Sequence, residues 1–515
     1  MFHYAYIIDG GVDACQLTVR DLPVHGHQLK SPTYLHELFP PRSIRVLGGS
    51  LLKDPDLMSD LSSAKVSSDR DTRSLTAEPC LPLEVQERIL DFVAGSMDSR
   101  ETMKACMQTC KGWTPRCRFH LLHEIHLRGQ QEVFSFGRLL DSNPRYRNEV
   151  VYAHIGSRDG SLQPIAYVES FAARFAGKLP SVHHLMIRNA EMKSTNLRQD
   201  AYLHFSSFAS LSELSLVRVT FRTRSMFVRI ACSFPGLTLL QCTDVEIPGP
   251  NHQSTVITPV LRPNIRHLGV DGDPSSIERV SHAFVNAILA VALRTLVVGY
   301  QTAVPLRDLT ASVQWLLDAA GPSLRTFTCL IDEGGFKRDD RAVQYINFTP
   351  NTCLERIVLR IPIHKDPSLS WIPALLSSAT FHEGGEVCLI FSVDARDDTP
   401  HVLRMLFTRL RQSVGFELEA ILSRPGFTKL KKFSVELYIV PWNIGLSQLA
   451  WTEVVTAAMP RLQARGVLDP CMRVMSDYSP TDVGSLLRGG VSLIPGSSVA
   501  ETLARIPSDD LHAER

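Results

Sequence analysis

From residue 119 onward the apolar positions recur with a fixed internal spacing, Leu-x-x-Leu-x-Leu. They read Leu122/Ile125/Leu127, Val182/Leu185/Ile187, Leu211/Leu214/Leu216, Leu237/Leu240/Cys242, Ile265/Leu268/Val270, Leu293/Leu296/Val298, Leu324/Phe327/Cys329, Leu354/Ile357/Leu359 and Leu430/Phe433/Val435. Between the second set and the eighth the first position advances by 29, 26, 28, 28, 31 and 30 residues, a regularity hard to obtain by accident. Apolar residues two apart share one face of an extended chain, so the fourth and sixth positions predict a short strand, and the first turns the chain into it. The intervening segments carry helical periodicity. Ile165, Val168, Ala172 and Phe175 fall on one helix face, as do Ile277, Val280, Phe284, Ile288 and Val291, and again Leu306, Leu309, Val313, Leu316 and Ala320. Strand and helix therefore alternate, which predicts an α/β fold. Past residue 360, Val387 to Phe391 predicts a further strand and Leu462 to Val467 a weak one.

The spacing resembles that of leucine-rich repeats, at or just beyond the upper end of their length range. The resemblance implies a solenoid in which each unit lays one strand along a horseshoe. The usual Asn or Cys three residues after the last leucine is absent, since Ala190, Val219, Val245, Asp273, Asp332 and Pro362 hold those places. Without that side-chain ladder, irregular curvature is expected.

A different pattern precedes the repeats. Val85, Ile89, Phe92 and Val93 recur at i, i+4, i+7 and i+8, which predicts a helix with one apolar face; Pro82 suits its first turn, Glu84 its positive end, and Gly95 its stop. Asp98 or Ser99 can cap a second helix carrying Met103, Cys106, Cys110 and Trp113 on one side, and Pro115 must end or kink it. The run from Leu81 to Val93, followed by Thr109-Cys110-Lys111-Gly112-Trp113, resembles an F-box, with Thr109 where that family shows valine. The resemblance implies docking on a Skp adaptor and, through it, a cullin scaffold, with Leu81, Pro82, Val85, Ile89, Leu90, Cys110 and Trp113 as adaptor-binding residues. An F-box-like module followed directly by an irregular leucine-rich region is similar to the large fungal, mushroom-type F-box families. Such a chain is the non-catalytic substrate-recognition subunit of an SCF-type ubiquitin ligase; its alternative is a protein-binding repeat scaffold with no ligase connection. The expected organisation is a poorly ordered N-terminal extension over 1–78, an F-box-like domain over 79–118, a repeat solenoid over 119–470 and a flexible C-terminal tail over 471–515.

Composition narrows the partners. With 515 residues the chain exceeds one compact core. Its 54 basic and 53 acidic residues leave a net charge of +1, so no global field draws it to nucleic acid or anionic membrane. The longest apolar run, Ala283 to Leu293, is interrupted by Asn286 and too short to span a bilayer, and no secretory leader precedes Gly10. A cytoplasmic or nuclear location is expected. The eleven cysteines, lacking Cys-x-x-Cys pairs, then read as reduced thiols.

Candidate chemistry is sparse. Cys106, Cys110, Cys117, His120, His123 and His126 crowd one region, but the first two have places on a helix face, and His123 and His126 would point to opposite faces of a strand. They read as core cysteines and solvent-facing histidines, and His183-His184 makes no better case, so no metal is expected. Asp394, Arg396, Asp397 and Asp398 make a solvated charged loop, and Lys429, Lys431 and Lys432 a soluble strand flank. No phosphate-binding glycine loop, nucleophile elbow or His-Glu-x-x-His helix is present, so neither a catalytic residue nor a cofactor is expected.

Overall fold

The computed structural model describes residues 81–95, 99–157, 161–165, 167–192, 197–248, 263–287, 289–300, 306–331, 346–363, 369–382, 384–393, 399–439 and 446–474. The expected extension over 1–78, the charged loop at 394–398, the candidate cap Asp98, and Ile288 and Asp332 lie outside them. So does the expected tail from 475 on, whereas its first residues, 471–474, belong to the strand Leu468–Val474, so the boundary expected at 470 falls inside a strand. The chain divides after His123 into two units.

The first unit holds three helices, α1 (Leu83–Ala94), α2 (Ser99–Thr109) and α3 (Thr114–His123). Pro82 stands at the N-cap of α1, where its carbonyl accepts from the Val85 and Gln86 amides at 3.0 and 3.1 Å. The expected second helix is two. Cys110 takes an extended conformation that breaks it, Lys111–Trp113 forms a 3₁₀ turn, and Pro115 enters the first turn of α3, where the missing N–H is harmless. Because α3 runs on to His123, the boundary expected at 118 would fall inside a helix. The core is Leu90, Met103 and Cys117, with Val93, Ala94, Cys106, Met107, Trp113 and Leu121 packed around it. Trp113, expected as core, is half-buried at its rim and donates Nε1–H to Gln86 Oε1 at 2.7 Å. A fork between α1 and α3 adds to this: Arg116 donates through Nε and Nη2 to the two Asp91 carboxylate oxygens, each at 2.7 Å.

The second unit is built on thirteen parallel strands. They are β1 (Glu124–Leu127), β2 (Tyr152–Ile155), β3 (Gln163–Pro164), β4 (His184–Met192), β5 (Glu213–Phe221), β6 (Leu239–Thr243), β7 (His267–Gly272), β8 (Thr295–Tyr300), β9 (Thr326–Ile331), β10 (Arg356–Ile363), β11 (Glu386–Val393), β12 (Lys432–Ile439) and β13 (Leu468–Val474). They pair in chain order from β1 to β13 in an open sheet, with β3 aside, paired to β4. Sequential parallel strands need crossovers of one hand, which carry the connecting helices onto one face of the sheet. Those connections include Tyr167–Phe175, Pro274–Asn286 and Leu306–Ala320, as the helical periodicity predicts. Val291, expected on the second of these helices, instead lies exposed in a 3₁₀ turn.

The repeat positions set the register. Ile125, Ala153, Leu185, Leu214, Leu240 and Leu268 stand side by side across β1 to β7, and the row continues through Leu296, Phe327, Ile357, Val387 and Phe433. All eleven are buried toward the helices. Three strands depart from expectation, the two-residue β3 being one that no repeat announces. β2 escapes the pattern because Ala153 occupies its fourth position, and β13 begins at Leu468 because Pro460–Ala464 forms a helical turn where the weak strand was expected.

Where the asparagine ladder is missing, the backbone itself turns. Asn189, Arg218 and Asp244 have φ of 50°, 53° and 50°, in the left-handed region that non-glycine residues seldom adopt. Asn189 lies opposite Arg218, between the paired residues Arg188↔Val217 and Ala190↔Val219. Each kink resets the alternation by one residue, so Ala190, Val219 and Val245 point inward and are buried, as are Met192, Phe221 and Ile247 beyond them. The repeat that opens at Ile265 solves the turn differently: Asp273 caps Pro274–Asn286, its Oδ1 accepting from the Ser275 and Ser276 amides at 2.8 and 3.0 Å.

Candidate functional site

Two surfaces carry chemistry. On α1, helical geometry separates two apolar stripes. Leu90, Val93 and Ala94 face the core of the first unit, whereas Val85 and Phe92, 40% and 84% exposed, lie on the neighbouring stripe with half-buried Ile89. Leu81 and Pro82 are also exposed, just before the helix. Of the residues expected to contact an adaptor, Leu81, Pro82, Val85 and Ile89 are therefore gathered on or beside one strip. Leu90 is not; at 1% exposure it is core. Cys110 and Trp113 are half-buried near the turn after α2.

The crowded cysteines and histidines do not converge. Burial raises the Cys106 thiol and pushes Cys117 up to about 11, as suits protonated core thiols. His120 Nε2 lies 2.7 Å from Asp91 Oδ1, and His123 ends α3 instead of sitting in a strand. The cysteines among the described residues are free thiols.

The second surface is the sheet face turned away from the repeat positions. Its residues lie in rows fixed by the register. One row begins Glu124, Tyr152, His184, Glu213, and the next His126, His154, Met186, Ser215. His184 Nε2 lies 3.0 Å from Ser215 Oγ, and the His154 and His184 rings are 6.1 Å apart. Burial, then the adjacent His126, holds the His154 imidazole well below its ordinary range, with Glu124 opposing, so His154 is neutral. The row was legible only in pieces, because His154 belongs to the strand that Ala153 hides.

Toward the other end the same face becomes an ionic and aromatic cluster. Val358, Cys388, Ile390 and Tyr438 pack together, apart from the main core. Arg360 and Arg473 lie over the Tyr438 ring at 6.0 and 5.9 Å, and Arg473 Nε is 3.2 Å from Glu436 Oε2. Lys432, expected as a solvated flank, is paired to Asp469 at 2.8 Å.

No known protein-family model matches this chain, and no curated protein matches it. Among the described residues no helix is long and apolar enough to cross a membrane.

Proposed function

We propose that this chain is the substrate-recognition subunit of an SCF-type ubiquitin ligase. The helical unit is an F-box that binds the Skp adaptor and hence the cullin scaffold. The sheet and its helices form an irregular leucine-rich-repeat solenoid, whose helix-free face takes the protein to be ubiquitinated. What supports this is the outer apolar stripe of α1 and the two residues before it: Leu81, Pro82, Val85 and Phe92 are exposed although the unit already has a core built from other residues. In the F-box family the adaptor contact begins at the matching Leu-Pro. Ligase chemistry then belongs to other subunits, and the protein acts in the cytoplasm or nucleus.

The test is recovery of a Skp adaptor and cullin from cell extract by the full chain and by Val85→Glu. Val85 is exposed and outside the core, so the charged variant should keep the parent's melting behaviour and lose the adaptor. If the parent recovers neither partner, the chain is a repeat scaffold without a ligase connection.

A further inference from the structure

Three potential metal ligands meet on the helix-free face at β1 and β2. Glu124 and His126, two apart on β1, share that face, and His154 on β2 is the register partner of His126. Glu124 Oε1 lies 2.9 Å from His126 Nε2 and 3.3 Å from His154 Nε2, and the imidazole rings are 4.5 Å apart. Zinc bonded at about 2.0–2.1 Å in tetrahedral geometry holds its donor atoms roughly 3.3 Å from one another. The Glu124 oxygen thus already stands at about that spacing from both imidazole nitrogens, and all three donor atoms lie within 4.8 Å of one another.

From this geometry we infer that Glu124, His126 and His154 form a three-ligand site for a divalent transition-metal ion, zinc being the best match. The claim does not depend on the ligase assignment. Two imidazoles and one carboxylate select zinc, cobalt or nickel over magnesium or calcium, which prefer all-oxygen shells. A route from solvent exists, since the Glu124 side chain is 47% exposed while the two rings are largely covered. The neighbouring His184 is engaged with Ser215, so a fourth position is left for water or for a donor group from a bound protein. Glu124 Oε1 stands beside the Nε2 of each ring, so on loading each Nε2 must present its lone pair to the metal, with the ring proton on Nδ1. The Nδ1 atom of His154 is buried without a hydrogen-bond partner here, so that proton lies inside the sheet face and limits how tightly the ion is held.

The experiment uses the full chain, stripped with a chelator and titrated with Zn²⁺ by calorimetry and with Co²⁺ by visible absorption. One equivalent should bind, with cobalt d–d bands and no sulfur-to-metal charge transfer. Glu124→Gln, His126→Asn and His154→Asn should each weaken binding by about a hundredfold, since losing a ligand exceeds the roughly 10–100-fold effect of losing a second-sphere partner. Zinc should raise the melting temperature of the parent and not of the variants. No stoichiometric uptake, uptake unchanged in Glu124→Gln and His126→Asn, or a thiolate charge-transfer band would each overturn the site. Should His154→Asn fail to fold, the other two variants decide, because their side chains are more exposed.

Discussion

At the scale of single residues, the helical unit separates packing from contact more sharply than its sequence does. Val85, Ile89 and Phe92 repeat with helical spacing, but so do Leu90, Val93 and Ala94, and spacing alone does not say which stripe is buried. The structure buries the second. Trp113→Ala should therefore destabilise the unit by about 2 kcal/mol, less than the 3–5 typical of a fully buried Trp, because it sits at the rim and loses one bond to Gln86. Pro82→Ala leaves the carbonyl that starts α1 in place and should not move the melting temperature, while weakening adaptor binding under the proposed function. Paired thermal melts and affinity measurements distinguish the two variants. Asp91 gives a pH signature. Its fork with Arg116, helped by His120 and opposed by partial desolvation, holds the carboxyl down to about 2, below the ordinary 3.8. A carboxylate whose folded value is depressed stabilises the fold above its unfolded value and loses that contribution as pH falls. Hydrogen exchange of the α1 and α3 amides, corrected for intrinsic rates, should thus show protection level above about pH 4 and falling toward pH 2, with Asp91→Asn flat across that window. Solvent screening keeps the effect small.

At the scale of elements, strand positions were readable wherever large apolar residues filled the fourth and sixth places. The row from Leu185 to Phe433 follows the sequence pattern directly. β2 was not readable because alanine sat where the side-chain period needed a large residue, and β13 because Pro460–Ala464 intervened. The kinks were beyond sequence reasoning for a different reason: Arg218 has no compositional mark of left-handed backbone, which tertiary packing of Val219 and Phe221 imposes on it. This leads to a comparison at one site. Arg218 is exposed, so its substitutions report backbone conformation and little else. Arg218→Gly should melt above Arg218→Val, with a difference of about 1–2 kcal/mol, since glycine enters the left-handed region freely and a β-branched residue does not. Equal melting temperatures would mean that the kink relaxes.

At the scale of the whole chain, the second unit is a linear stack in which each strand except β3, which stands aside, is bonded to the next along the sheet. The sheet runs unbroken from β9 through β10 to β11. A chain ending at Pro350 would leave β9 with its Arg356–Arg360 pairing removed and the inward residues Phe327 and Leu324 without their neighbours Ile357 and Leu354. Such a fragment should aggregate and bind a hydrophobic dye. If it remained monomeric with a sharp transition, the stack would have an independent boundary there. The order of strands was legible from the even spacing of the repeats. The histidine cluster was not, because it is assembled across a register that joins a visible strand to a hidden one.

A stack of identical joints has no intrinsic length, and the last described strand carries guards on its outer edge. Phe433 donates to Val467 O, so residues 467, 469 and 471 turn toward β12 while 468, 470 and 472 turn outward. Pro470 is on that outward row and has no N–H to offer a further strand. The neighbouring groups are occupied by one side chain. Gln448 Nε2 donates to Pro470 O at 3.0 Å and Gln448 Oε1 accepts from the Met472 amide at 2.6 Å, so a single carboxamide imitates the backbone of a neighbouring strand. The edge is a template for polymerisation that has been plugged. Removing the plug with Gln448→Ala together with Pro470→Val should make sedimentation depend on concentration more strongly than in the parent, and leaving either guard in place should largely prevent it.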